Sequence, residues 1–179
     1  MFNKKPNWKD YLILKEVNSV IRILTLSDLV MLSGIGLIAP IFAIYITDQI
    51  VGATIEVVGI AAAIYLISES IFQIPAAAFI DKIKGERDDF WSLLISSLLF
   101  SIIPLFYIII NQPWQLYILQ FFYGLIAAVT GPAWYAIFTR HIDKNHEGIE
   151  WGIYRTLTSL GAAAAASLGG FIAFRYSFT

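Results

Sequence analysis

Cysteine is absent from these 179 residues, and charge is scarce, with 14% of positions Asp, Glu, Lys or Arg against about 25% in soluble domains. The first absence excludes a disulfide scaffold, thiolate metal sites and a cysteine nucleophile. The second, with 58% hydrophobic residues against roughly 45–50% in soluble domains, leaves too little polar surface to cover the chain in water. Mean hydropathy is +0.72. Net charge is −1 and the pI about 6.1, so no nucleic-acid partner is expected. A phosphate-cradling glycine loop, a nucleophile elbow and a paired catalytic-carboxylate motif are also missing, so no enzyme and no cofactor are expected. His141 and His146 stand five apart, which does not place them on one helical face, and no metal site is expected. The chain reads as a membrane protein.

What is present is a set of long apolar runs between clustered charges. Crossing a bilayer takes about 20 apolar residues, and spans are predicted near 20–47, 55–80, 90–111, 114–138 and 149–174. The alternating ten-residue pattern of a β-barrel is missing. A helix satisfies its own backbone groups in lipid, so the expected fold is all-α and polytopic. Residues 1–19 form a predicted cytoplasmic segment, in which 7–17 suits either a short interfacial helix or an extension of the first span. Trp91, Trp114 and Trp151 lie near span ends, where interfacial anchors belong.

Orientation follows from the positive-inside bias. Lys4, Lys5, Lys9, Lys15 and Arg22 precede or enter the first span. Lys82, Lys84 and Arg87 lie between spans two and three, and Arg140, Lys144 and Arg155 surround the connection from four to five. The connections at 48–56 and 111–114 hold no Lys or Arg, and of the basic residues only Arg175 falls on their side. The N-terminus is therefore expected in the cytoplasm.

Span two has two distinct sides. Ile60, Ile64, Ile67, Ile71 and Ile74 recur at three- to four-residue spacing as one stripe. Nearly opposite, Tyr65, Glu69 and Gln73 follow at i, i+4. An acid at the depth of Glu69 costs about 3 kcal/mol on insertion scales, which eleven Val, Ile, Leu and Phe residues in 57–80, each worth about −0.3 to −0.6 kcal/mol, roughly offset. The helix can insert, but Glu69 must face protein or water. Asp28, a second acid at membrane depth, lies about 12 Å from the cytoplasmic end of span one; its neighbours Leu24, Leu32 and Ile35 form no polar stripe. Both are candidates for proton coupling.

Span three is apolar nearly all round and suits a lipid-facing helix. Span four aligns Tyr117, Gln120, Gly124, Ala127, Gly131 and Trp134 on one face, and residues 161–170 of span five are nearly all small. Small residues let backbones approach closely where lipid supplies no hydrophobic drive. Tyr65, Gln73, Tyr117, Gln120 and Trp134 are the candidates for lining a substrate path. Pro40, Pro75, Pro104 and Pro132 fall inside spans, where prolines often mark bends.

From about residue 17 onward, the sequence resembles the N-terminal half of a major facilitator superfamily transporter. Gly34-Ile-Gly-Leu-Ile-Ala-Pro40 is similar to the family's first helix. The connection after span two resembles the family motif G-x-x-x-D-[RK]-x-G-x-[RK]-[RK]: Asp81 and Lys82 match, Ala77 replaces the first glycine, and Gly85 comes one position late, followed by Arg87. Gln120-Phe-Phe-Tyr-Gly124 resembles R-x-x-Q-G without its arginine. Gly161 and Gly169-Gly170 match the spacing of the antiporter motif G-x-x-x-G-P-x-x-G-G, with Ala165-Ala166 in place of Gly-Pro. The resemblance implies a six-helix N-terminal bundle of inverted repeats, of which five helices are present, so a sixth helix and a C-terminal half are expected to follow Thr179. It implies a conformational-switch loop at Asp81, Lys82, Gly85 and Arg87, and a helix-packing motif at Gly161, Gly169 and Gly170.

The leading expectation is a multi-pass secondary active transporter of the plasma or inner membrane, coupled to protons and exporting a small molecule. The alternative is a non-transporting five-helix scaffold or partner subunit, with a membrane-embedded enzyme third.

Overall fold

The computed structural model describes residue 14 and residues 17–82 and 85–176. Most of the 1–19 segment, with its candidate interfacial helix, therefore lies outside the described residues, as does Lys84. Among the described residues six helices follow in order: α1 (Ser19–Ile38), α2 (Phe42–Gln49), α3 (Ile55–Lys82), α4 (Arg87–Phe106), α5 (Pro113–His141) and α6 (Glu147–Tyr176). No strand occurs among the described residues, and the chain is all-α. By length and composition α1, α3, α4, α5 and the Glu147–Arg175 stretch of α6 can each cross a membrane.

The first span, expected as one run over 20–47, is broken. Helix α1 ends at Ile38 and the chain resumes as α2 at Phe42. Pro40 supplies the reason: it has no N–H to give the Gly36 carbonyl, and its ring crowds that carbonyl in a continuous helix. At its other end α1 is set by Asn18, whose Oδ1 accepts the Val20 N–H at 2.9 Å, satisfying one orphan donor of the first turn. The third span also ends early. After Phe106 the chain tightens into i→i−3 bonds, Tyr107 N–H to Pro104 O and Ile108 N–H to Leu105 O, both at 3.3 Å.

The chain divides into two compact units, one of residues 1–40 and 138–179 and the other of 41–137. In the first, α1 and α6 touch along small residues. A Cβ on Gly36 would lie 2.7 Å from the Ala162 carbonyl oxygen, and one on Gly161 would strike the Leu29 side chain. One on Gly169 would strike the Leu37 carbonyl, with Leu37 Cα at 3.0 Å. Only glycine permits this approach, which maximises dispersion contact between backbones.

The second unit is built on Ile46, Ile50, Ala61, Tyr107 and Leu116. Phe42 meets Tyr107 edge-on with ring centroids 5.1 Å apart, and the Tyr45 hydroxyl donates to the Tyr107 carbonyl at 3.3 Å. The Val51 N–H donates to Asn111 O at 3.2 Å, joining the turn before α3 to the turn before α5. Gln115 Oε1 accepts the backbone N–H groups of Asn111 and Gln112 at 2.9 and 3.1 Å, a reach-back that caps α5. Four members of the isoleucine stripe, Ile60, Ile67, Ile71 and Ile74, are exposed, as are Ile95, Leu98, Leu99 and Ile102 on α4. In a bilayer these surfaces face lipid. Trp91 and Trp114 are exposed at helix ends. Trp151 instead packs on Phe138, centroids 4.4 Å apart, and stands edge-on to Tyr154.

Candidate functional site

The polar face of α3 meets the small face of α5. A Cβ on Gly124 would strike the Tyr65 carbonyl and lie 2.8 Å from Ser68 Cβ and 3.1 Å from the Glu69 nitrogen. Because position 124 carries no side chain, the α3 backbone around Glu69 sits directly against α5. Gln73 Nε2 is 3.8 Å from where a Cβ on Gly131 would be. The line Tyr65, Glu69 and Gln73 therefore runs beside the line Gly124 and Gly131.

Glu69 is half-buried, and the Tyr65 hydroxyl lies within electrostatic range of its carboxyl. Glu69 lies fourteen residues along α3 from Ile55, about 21 Å at 1.5 Å per residue, half the length of that 28-residue helix. The Tyr65 ring in turn packs on Tyr123, centroids 5.3 Å apart, and Tyr123 packs on Phe100 at 4.3 Å.

The other path candidates have structural partners within the same unit. Gln120 is buried and its Nε2 donates to the Tyr107 hydroxyl at 3.2 Å. Tyr117 packs against the cluster around Ile46 and Leu116. Trp134 is buried, edge-on to Tyr135 with centroids 5.5 Å apart. Tyr107 and Tyr123 were not among the sequence candidates; the signal for them is a tyrosine inside an apolar run, whose hydroxyl needs a partner.

In the other unit Asp28 accepts a 2.8 Å hydrogen bond from the Tyr154 hydroxyl. Asp28 is half-buried, and Tyr154 itself packs against both Phe138 and Trp151. The hydroxyl that bonds Asp28 thus comes from α6. Gly161 and Gly169 sit at the α1 contact, whereas Gly170 has nothing within 4 Å of a built Cβ.

Asp81 and Lys82 close the last turn of α3, exposed. Gly85 has φ +142°, a conformation other residues rarely adopt, and Arg87 opens α4, also exposed. The late glycine of this loop is therefore where the backbone needs one. Among the described residues no group of three His, Cys, Asp or Glu side chains could hold a metal.

Residues 24–179 match the sequence profile of the Major Facilitator Superfamily. The chain belongs to this superfamily. It is similar to an uncharacterized MFS-type transporter of Methanocaldococcus jannaschii, 26% identical over 143 residues, which cover 80% of this chain and 36% of that protein. The chain thus spans about a third of the length of this relative. No solved structure matches. As a superfamily member with five apolar helices, it is a multi-pass membrane protein.

Proposed function

We propose that the chain is the N-terminal part of a secondary active transporter in which Glu69 carries the coupling proton. The observation that carries this reading is the place of Glu69: mid-helix, half-buried, one turn from Tyr65, on a stretch of α3 whose backbone sits against Gly124 of α5. An ionisable group at this depth is costly and is a functional candidate by default. A carboxyl opened alternately to the two sides takes up a proton on one and releases it on the other. Gln73, one turn along α3, is the polar group beside it for a small-molecule substrate, with Tyr117, Gln120 and Trp134 as candidates along the rest of the path. The glycine spacing of α6 favours export. The transport unit includes a C-terminal half, and its membrane is the plasma or inner membrane, with the N-terminus in the cytoplasm. Reading the frame beyond Thr179 tests the first of these points: a frame continuing through about seven further apolar spans supports it, and a stop codon favours the scaffold reading.

Orientation is tested by labelling. Because the sequence contains no cysteine, single cysteines report without background. In intact cells a cysteine at Asn145 should be shielded from an impermeant thiol reagent, and one at Gln112 should react. Both positions are exposed. The reverse pattern would invert the topology.

The loop after α3 carries a separate expectation. Asp81 is exposed at the helix end, in the position of the aspartate through which the superfamily's switch loop contacts the second half. Asp81→Asn should leave membrane insertion intact and slow transport by about tenfold, equivalent to ~1.4 kcal/mol on the limiting step. Transport unchanged in this variant would show that the loop no longer acts as a switch.

A further inference from the structure

A groove of about 390 Å³ runs along the second unit between α4 and α5. Ser92 and Ser96 of α4 are short and leave the space, and Leu125 and Val129 of α5 wall its other side. The Ser96 hydroxyl donates to the Leu93 carbonyl of its own helix at 3.3 Å, so it adds little polarity to the groove. Ile95 and Leu99 also line it and are themselves exposed. The groove therefore opens sideways, to lipid in a bilayer.

Its polarity is graded along α4. Asp88, the second residue of that helix, lines the end beside the α3–α4 connection. It is half-buried, and its Oδ2 is buried without a hydrogen-bond partner. Trp91, one turn further and exposed, suits the interfacial level where aromatic anchors sit. Beyond it the lining is apolar apart from the two serines. Asp88 and Leu99 are eleven residues apart, about 16 Å along the helix, which is close to half of a hydrocarbon core about 30 Å thick. The groove thus spans one leaflet, polar at the surface and apolar at depth.

Two costs remain open in it. An empty apolar cleft forfeits dispersion contacts on its lining, and a buried carboxylate oxygen without a donor is expensive. We propose that the groove holds one acyl chain of a phospholipid whose primary-ammonium headgroup donates to Asp88. The lipid belongs to the leaflet on the side of the α3–α4 connection. The headgroup follows from charge and chemistry. A trimethylated ammonium has the charge but no N–H to give, and an anionic head brings like charge to the carboxylate. Lys82 and Arg87, exposed at the facing ends of α3 and α4, stand at the level of the lipid phosphate. Seated there, the lipid bridges α4 and α5. The site stands apart from the role given to Glu69.

The probes are three synthetic phospholipids with one tail design, bearing a photoreactive diazirine halfway along one chain and an ethanolamine, choline or glycerol headgroup. Each is added in trace amount to bilayer discs holding the full-length protein, illuminated, and mapped by peptide mass spectrometry. Ser96 and Val129 report the groove, and the exposed Ile71 and Ile74 of α3 report bulk lipid. Relative to those two, the ethanolamine lipid should label the groove about tenfold more than the choline lipid, the worth of one hydrogen bond to a charged group. The glycerol lipid should label it least. Asp88→Asn should bring ethanolamine down to the choline level. Because the comparison is a ratio within one sample, a lower yield of folded variant does not alter it. Ser96→Leu, which fills the groove, should remove labelling at Val129 by all three lipids. Equal labelling by ethanolamine and choline in the wild type, or a preference for glycerol, would overturn the proposal. So would a preference that survives Asp88→Asn. Labelling confined to α3 would overturn it as well, and would show that protein, such as a helix following Thr179, covers the groove instead.

Discussion

Glu69→Gln is expected to abolish gradient-driven transport while leaving substrate binding and exchange measurable. The substitution keeps size and polarity. It removes only titration. Loss of a positioned proton-transfer group typically costs about 10²–10⁴-fold, so uphill accumulation should fall to background. Exchange of labelled for unlabelled substrate needs no net proton movement and should persist. Asp28→Asn is the control, since Asp28 is the other acid at membrane depth and accepts a hydrogen bond from Tyr154. If Glu69→Gln transports normally with an unaltered pH profile, the residue is structural and coupling lies elsewhere.

A second large effect is expected where α1 and α6 touch. A Cβ at position 169 would strike the Leu37 carbonyl and lie 2.9 Å from its carbon, and these are backbone atoms that cannot rotate away. Gly169→Val must therefore part the helices, and overpacking of this kind costs about 1–3 kcal/mol, sometimes more. Position 170, with nothing within 4 Å, is the comparison. Gly170→Ala should be neutral or stabilise by up to about 1 kcal/mol through helix propensity. Thermal unfolding of the two variants in detergent, side by side, reads the difference. Equal melting temperatures would mean that the α1–α6 contact is not this close in the protein.

The sequence made legible what a helix encodes about itself. Length and hydropathy located five spans, and periodicity separated the exposed isoleucine stripe of α3 from the line through Glu69, because both properties repeat along one chain segment. What it could not encode is which residue comes across from a distant helix. Leu24, Leu32 and Ile35 beside Asp28 form no polar stripe on α1, yet Tyr154, 126 positions away, bonds it. Gln120 belongs by spacing to the same face as Gly124, but its partner Tyr107 lies in the turn after another helix. The break at Pro40 was hidden for a different reason. Proline is tolerated inside membrane helices, as Pro75 and Pro132 are in α3 and α5, so its presence alone does not say whether the helix bends or stops. The late glycine of the switch loop looked like a departure from the pattern, and its φ of +142° shows the backbone requirement that keeps it there.

If Glu69 couples substrate movement to protons, the most direct measurement is of the protons. The full-length protein is reconstituted in vesicles holding a pH-sensitive dye, and a substrate that the wild type accumulates is added without a preset gradient. Substrate-driven pH change inside the vesicles should appear in the wild type and in Asp28→Asn, and be absent in Glu69→Gln. The same pH change in Glu69→Gln as in the wild type would contradict the account.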